Sequence, residues 1–502
     1  MLSASPGAVH PGRSGGRVST SALAAVLLLG GCAVGPDYRP PSAALTGFHG
    51  PASQASGPNM VAAPRLENWW EDFNDPDLTR IVRRALDQNL DLTAALARVQ
   101  QARAAARGAG ARLLPSVDLS AQASRQRQSL ESPAGAIARN LPGYDRNQSL
   151  YDVGAGASWE LDLFGGLRRA AEAETALAEA AEAAHAGTRI SIAADAADTY
   201  LRIRGDQARI NAVTDQIATN VELLALVQQR FAQGLGSDRE VAQAEALLAG
   251  ARAALQPLQI DVQAQLNRLD VLMGVQPGTY AAELGALKTI PAPPALVGAD
   301  PADLLRRRPD IIAAERLLAA SNARIGVAIS DYYPKFSLSG LLGFESAASG
   351  NLLRASTFQP QGVLGLRWRL FDFGKVDAQV AAAKGAEAEA LARYRQSVLR
   401  AAEDVENAFT ALALLDVYVQ EMEREVNALE RARSLSQTAY KQGVVSLTDA
   451  LDANRQKLAA QDALASARAD LARAAVSAFR ALGGGWSSQM SQRAEVADAP
   501  NE

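Results

Sequence analysis

The sequence predicts a mixed membrane protein, with a few short transmembrane β-strands and very long α-helices carried by two tandem copies of one strand–helix unit. Three observations lead there. A strand-to-helix junction occurs twice, as Trp159-Glu160-Leu161-Asp162-Leu163-Phe164-Gly165 and as Trp368-Arg369-Leu370-Phe371-Asp372-Phe373-Gly374, with the two glycines 209 positions apart (374 − 165). Before each junction, apolar residues alternate with polar or small ones, the period of a strand with two unlike faces. After each junction comes a proline-free stretch of about 67 residues rich in alanine, glutamate, arginine and leucine. As a helix that stretch would run roughly 100 Å, which implies a coiled coil or a helical tube rather than a compact domain.

Composition removes several function classes. Over 502 residues the net charge is −4, so no basic field points to nucleic acid. A large α/β enzyme would alternate short strands with short helices, and this chain does not. The histidines are His10, His49 and His185, scattered along the chain and in no ligand or triad spacing. Gly374-Lys375 lacks the upstream glycine of a phosphate-binding loop. No catalytic residue, metal or soluble cofactor is expected.

The N-terminus reads as an export signal. Arg13 and Arg17 precede an apolar run from Ala22 to Leu29, followed by Gly30, Gly31 and the sole cysteine, Cys32. A basic region, a short apolar core and small residues describe a secretory signal over residues 1–31, too short to span a bilayer. Leu29-Gly30-Gly31-Cys32 resembles a bacterial lipobox, which implies cleavage before Cys32 and covalent lipid, palmitate included, on that residue. Ala33 rather than aspartate follows, which favours the outer membrane. Several acyl chains anchor firmly where one does not. Residues 32–65 hold Pro36, Pro40, Pro41, Pro51, Pro58 and Pro64 and read as an extended, lipid-anchored strap.

The first repeat is placed at 66–276. Trp69 and Trp70 are packing residues, and Asp75 or Asp77 caps a helix that starts near Pro76 and runs to about Arg112. A hairpin over about 115–163 follows, in which Val117, Leu119, Ala121 and Ala123 form one apolar row and Tyr151, Val153, Ala155, Ala157, Trp159 and Leu161 the other. The long helix ends near Phe231. Gln233-Gly234-Leu235-Gly236-Ser237 turns the chain, and Ser237 caps a return helix to about Met273, interrupted near Pro257. A proline-rich linker covers 277–303. The second repeat, 304–485, has a helix from Arg308-Pro309-Asp310 to Tyr332-Tyr333-Pro334, a hairpin over about 334–372 whose last strand runs to Trp368 and Leu370, a long helix to about Tyr440, a turn at Gln442-Gly443-Val444-Val445-Ser446 and a return helix ending at Leu482-Gly483. Pro334 matches Pro115 at an offset of 219 (334 − 115), and Ser446 matches Ser237 at 209 (446 − 237), so ten extra residues lie in the first hairpin. Residues 486–502 read as a disordered tail.

Strands of about ten residues with unlike faces fit a membrane barrel. Trp159, Trp368, Tyr332 and Tyr333 stand at the strand ends, where membrane-interface aromatics gather, although they could equally pack the strand–helix joint. Four strands cannot close a barrel, and an open edge in lipid leaves amides unsatisfied. Strands in lipid therefore require several copies. Asp162 and Asp372 are expected as turn or lumen residues.

At this point a resemblance is plain. Gly31-Cys32-Ala33-Val34-Gly35-Pro36-Asp37-Tyr38, Trp70 with Phe73 and Asp75-Pro76, Leu304–Val327, both junctions and Leu482-Gly483-Gly484-Gly485-Trp486 resemble the TolC/OprM family of outer-membrane efflux lipoproteins, NodT type, over nearly the whole mature chain. The resemblance implies a homotrimer with a twelve-stranded transmembrane β-barrel, four strands per chain, continued by a long periplasmic α-helical barrel. It implies a passive exit duct for drugs and other small molecules in a tripartite system, with a periplasmic adaptor protein and an inner-membrane pump as partners. The outer-membrane duct of a type I protein-secretion system is the alternative. It further implies a periplasmic gate at Tyr440, Lys441, Asp452 and Arg455, with lysine where some relatives have arginine, and adaptor contact at the tips marked by Gly234, Ser237, Gly443 and Ser446. Without the resemblance, Asp452 and Arg455 are ordinary helix charges at i, i+3 spacing.

Overall fold

A computed structural model describes residues 33–41, 49, 66–285, 288–294 and 307–486. Cys32, the signal segment, most of the strap and the tail from 487 lie outside the described residues. The chain divides into two compact units. One holds Arg107–Ala173 and Asn322–Gly385 together with the segment up to Tyr38; the other holds Arg39–Ala106, Glu174–Ser321 and the chain from Ala386 onward.

The first unit is built on one antiparallel sheet. Its strands are β1 (Ser116–Arg127), β2 (Asn147–Leu161), β3 (Lys335–Ser346) and β4 (Phe358–Arg367), in the order β1-β2-β3-β4. Register sets Val117 against Ala157, Ala155 against Leu342 and Leu338 against Leu364. Opposed residues share a face, so the apolar rows of all four strands merge on one side. Asp118, Asp152, Glu160, Ser337 and Gln361 share the other side. A slip of one residue would invert every side chain of a strand, which is why this pattern fixes register so firmly. The loop between β1 and β2 contains a short helix, α3 (Pro133–Ala138), begun by Ser132, whose hydroxyl accepts from the Gly135 N–H at 3.2 Å.

β4 stops at Arg367, short of the expected Trp368 and Leu370. The reason is the ladder: β3 begins at Lys335, which opposes Arg367, so no described residue is left to pair with those beyond it. β2 continues to Leu161 because Phe336 of β3 stands opposite.

In the second unit a 3-10 segment, Leu66–Phe73, precedes α1 (Pro76–Gln88) and the start of α2 (Leu90–Ala111). Trp69 and Trp70 are almost wholly buried, and Trp69 stacks on Phe479 with ring centroids 5.1 Å apart. Asp75 is the cap of α1, accepting from the N–H groups of Asp77 and Leu78. The single helix expected over 76–112 is two helices. Asn89 donates its N–H to the Ala85 carbonyl, ending α1, and its side-chain oxygen accepts from Leu92 N–H at 3.0 Å, starting α2. One residue thus serves as both stop and cap.

The long helix α4 (Gly166–Ala232) and the return helix α5 (Asp238–Leu272) have the same lengths as α8 (Lys375–Lys441) and α9 (Leu447–Ala481): 67 and 35 residues in each pair. α5 is not interrupted at Pro257. Proline costs one hydrogen bond within a helix, and here the ring lies on an exposed side, where solvent can reach the freed carbonyl. The linker carries one helical turn, α6 (Ala281–Leu284), and the second repeat begins with α7 (Pro309–Ser330).

The repeats share fine detail. Asn89 donates to the Leu272 carbonyl at the end of α5, at 2.9 Å, and Arg308 donates to the Ala481 carbonyl at the end of α9, at 3.1 Å. Gly274 and Gly483, both at φ +70, follow those helix ends. A Cβ on Gly274 would meet the Gln88 carbonyl oxygen at 2.3 Å, so this position demands glycine twice over. No described helix is long and apolar enough to cross a membrane.

Candidate functional site

Three places could carry function: the sheet, its junctions with the helices, and the helix-hairpin tips. On the sheet, the apolar row is open. Leu119 keeps 80 % of its surface exposed and Leu364 70 %. The outer strands β1 and β4 are exposed along nearly their whole length, whereas β2 and β3 are largely half-buried. Among the described residues, each outer strand also presents one edge with no strand beside it.

At the junctions the four predicted aromatics tie strand to helix end. Trp159 donates its indole N–H to the Leu113 carbonyl at 2.9 Å, and Trp368 donates to the Tyr332 carbonyl at 3.0 Å. The acceptors follow α2 and α7, so the same clamp occurs in both repeats. Tyr332 donates its hydroxyl to Asp377, and Tyr333 stacks on Phe164 with centroids 4.6 Å apart. Asp162 and Asp372, expected as turn or lumen residues, cap the helices that follow them. Asp162 accepts from the N–H groups of Leu167 and Arg168, Asp372 from those of Gly374 and Val376. Hydrogen bonds from these N–H groups, with Val376 foremost, hold the Asp372 carboxyl below the usual aspartate range.

The segment just after Cys32 is fixed to this unit. Val34 donates its N–H to the Phe164 carbonyl at 3.0 Å, and the nearly buried Arg169 guanidinium reaches Asp37 at 2.7 Å. Gly35 lies against Gly326, whose Cα a Cβ on Gly35 would meet at 2.5 Å. The Ala33-Val34-Gly35-Pro36-Asp37 run and Gly326 are therefore one packing unit.

The two tips are built alike. Gly234 and Gly443 take φ +73 and +75. At the first tip Gly234 N–H donates to Phe231 and Leu235 N–H to Arg230, and at the second Gly443 donates to Tyr440 and Val444 to Ala439, all at 2.9 Å. This paired return bond is the usual glycine-ended helix stop. Ser237 and Ser446 start the return helices, with the Glu240 and Asp449 carboxylates accepting from their N–H groups at 2.9 and 3.1 Å. The residues after the glycines, Leu235 and Val444, are exposed apolar side chains at the two turns. They lie at equivalent positions of the two repeats, each directly after the turn glycine.

The four expected gate residues do not form one cluster within a chain. Tyr440 is buried among Leu223, Val227, Leu447 and Ala450, under the Arg230 guanidinium at 5.0 Å. Lys441 is the last residue of α8. Asp452 and Arg455 pair with each other at 2.7 Å on the exposed side of α9, and Asp452 also accepts from Gln456. No hydrogen bond or ion pair joins Tyr440 or Lys441 to Asp452 or Arg455 among the described residues. Beside them lies a polar cluster not anticipated: the Asn220 side-chain oxygen accepts from Gln216 at 2.7 Å and from Asn454 at 3.0 Å, all three buried. Only Gln216 and Asn220, spaced i, i+4, hinted at it. Among the described residues no group of three or more His, Cys, Asp or Glu side chains could hold a metal ion.

Comparison with known proteins adds to this geometry. Residues 81–275 and 301–484 match the family described as "Outer membrane efflux protein". The chain is similar to nodulation protein T of Rhizobium leguminosarum bv. viciae, with 31% identity over 467 residues, 92% of each chain. It is equally similar to the solvent efflux pump outer membrane protein SrpC of Pseudomonas putida, 31% identical over 92% of this chain and 97% of the relative. Among solved structures it resembles the outer-membrane channel OprN, at 35% identity and TM-score 0.83, covering 91% of this chain and all of that one. It also resembles the open state of the Neisseria gonorrhoeae MtrE channel, at 26% identity and TM-score 0.77, covering 90% of this chain and 98% of that one.

Proposed function

Because the chain belongs to the outer membrane efflux protein family, we propose that three copies join their sheets into one twelve-stranded barrel, continued by a periplasmic tube of helices. The protein is the outer-membrane channel component of an efflux system. The observation that supports the barrel is the sheet itself: one face carries the apolar rows of all four strands, and among the described residues two edges have no partner strand. In hydrocarbon every edge N–H and carbonyl left open costs several kcal/mol, so only closure by further copies satisfies them.

The remaining assignments follow from that architecture. Cys32 carries the lipid; the packing of Ala33 to Asp37 against the sheet unit supports an anchor on that side. The tips at Gly234, Ser237, Gly443 and Ser446 meet a periplasmic adaptor, with Leu235 and Val444 as apolar contact points. The adaptor bridges to an inner-membrane pump. The cargo is small molecules, drugs and solvents among them, in keeping with a relative named for solvent efflux, and the consequence for the cell is multidrug resistance.

Deletion of the gene tests the reading. Susceptibility to several unrelated small toxicants should rise while the secreted proteome stays the same. Unchanged susceptibility with loss of one secreted protein would move the assignment to a protein-secretion duct.

A further inference from the structure

The internal duplication, applied to the strand edges, gives the pairing between copies residue by residue. Adding 219 to β1 and 209 to β2 converts the pair Ser116–Ser158 into Lys335–Arg367, which is the pair observed between β3 and β4. The repeat offsets are thus also structural offsets. The contact between β2 and β3 joins the end of one repeat to the start of the next. Its counterpart would join β4 to β1 of a second copy, with 209 added to the β2 numbers and 219 subtracted from the β3 numbers. Trp159–Leu338 then becomes Trp368–Leu119, Leu161–Phe336 becomes Leu370–Val117, and Ala157–Gly340 becomes Leu366–Ala121.

We propose that β4 of one copy and β1 of the next pair in this register, with Arg369 opposite Asp118 and Phe373 seated against Leu114. The inference rests on the multi-copy barrel proposed above and adds its register. Three observations support it, none of them used to derive the offsets. First, Leu364 and Leu366 of β4, and Trp368 and Leu370 just beyond it, fall opposite Ala123, Ala121, Leu119 and Val117, so the open apolar face continues across the joint. Second, Arg369 and Asp118, both exposed, fall directly opposite with opposite charge. Third, the stack of Phe164 on Tyr333 transforms into Phe373 on Leu114. Phe373 is fully exposed in the single chain and Leu114 is 68 % exposed, so each is an unfilled half of a contact that the internal joint already makes. Phe373 also sits at φ +54, which Phe164 does not. The register accounts for the early end of β4 as well: Trp368 and Leu370 become strand only when Leu119 and Val117 of the next copy stand opposite.

The test is oxidative cross-linking of the full-length protein in outer membranes. Residues directly opposite lie within disulfide reach, while those two positions off do not. Ala121→Cys with Leu366→Cys should cross-link most of the protein into dimer and trimer bands. Ala121→Cys with Leu364→Cys, or with Trp368→Cys, should cross-link a few per cent at most. In parallel, Asp118→Arg should weaken the assembled form on native gels, and adding Arg369→Asp should restore it. Strong cross-linking by a shifted pair, or assembled protein that no matched pair cross-links, overturns the register while leaving the barrel in place. Protein that is monomeric in membranes overturns both.

Discussion

Removing the Asp452–Arg455 pair tests the expected periplasmic gate most directly. The double variant Asp452→Ala/Arg455→Ala deletes one ion pair per chain, at 2.7 Å, between side chains 44 % and 73 % exposed. An exposed pair of this kind contributes about 0.5–1 kcal/mol at most. Within one chain that is a minor loss of stability, so the variant should fold and assemble normally. The gate reading puts these charges in links between neighbouring copies in the closed state alone, so that three such links, one per chain, would total about 1.5–3 kcal/mol. At 1.4 kcal/mol per factor of ten, the open-to-closed ratio would rise about 10- to 100-fold. The assay is single-channel recording in planar bilayers, with thermal unfolding as a control. A higher conducting fraction at unchanged stability is the expected result. Unchanged conductance from properly assembled channels would refute the gate and leave the two residues as a surface pair.

Other perturbations reach the scaffold. Asn220→Ala leaves the Gln216 and Asn454 amides without their shared acceptor and should cost about 1–3 kcal/mol in thermal unfolding, more than removing the exposed Asp452–Arg455 pair. Gly443→Ala has open space for its Cβ and should cost only the left-handed conformation, about 1–2 kcal/mol, read as faster amide exchange at the tip. Gly274→Ala has the same φ class but a backbone clash, and should lower the yield of folded protein sharply. Burial first, and Arg189 second, lower the pKa of His185. Its neutral form is therefore favoured by folding: the contribution is intact above the unfolded value of about 6.5 and is lost as pH falls below it. His185→Gln should flatten the decline in melting temperature as pH falls below about 6.5, and an unaltered decline would place its origin elsewhere.

The residue pattern alone determined the four strands, their two faces, the paired long helices and the turns at Gly234 and Gly443. These follow from short-range rules: alternation assigns a strand face, a long proline-free run assigns a helix, and glycine followed by serine assigns a stop and a start. Positions where one residue meets distant backbone were not legible in that way. Asn89 splits a helix because its side chain caps the next one and bonds the end of α5. Pro257 leaves α5 continuous because its face is open. Tyr440 is buried while Phe231, its counterpart in the first repeat, is exposed, a difference that depends on neighbouring helices rather than on either residue. The sequence determined which elements exist and which way they face, since those are properties of neighbours along the chain. Tertiary structure decided where each element ends and what its side chains touch, since hydrogen bonds and packing are closed by residues hundreds of positions away.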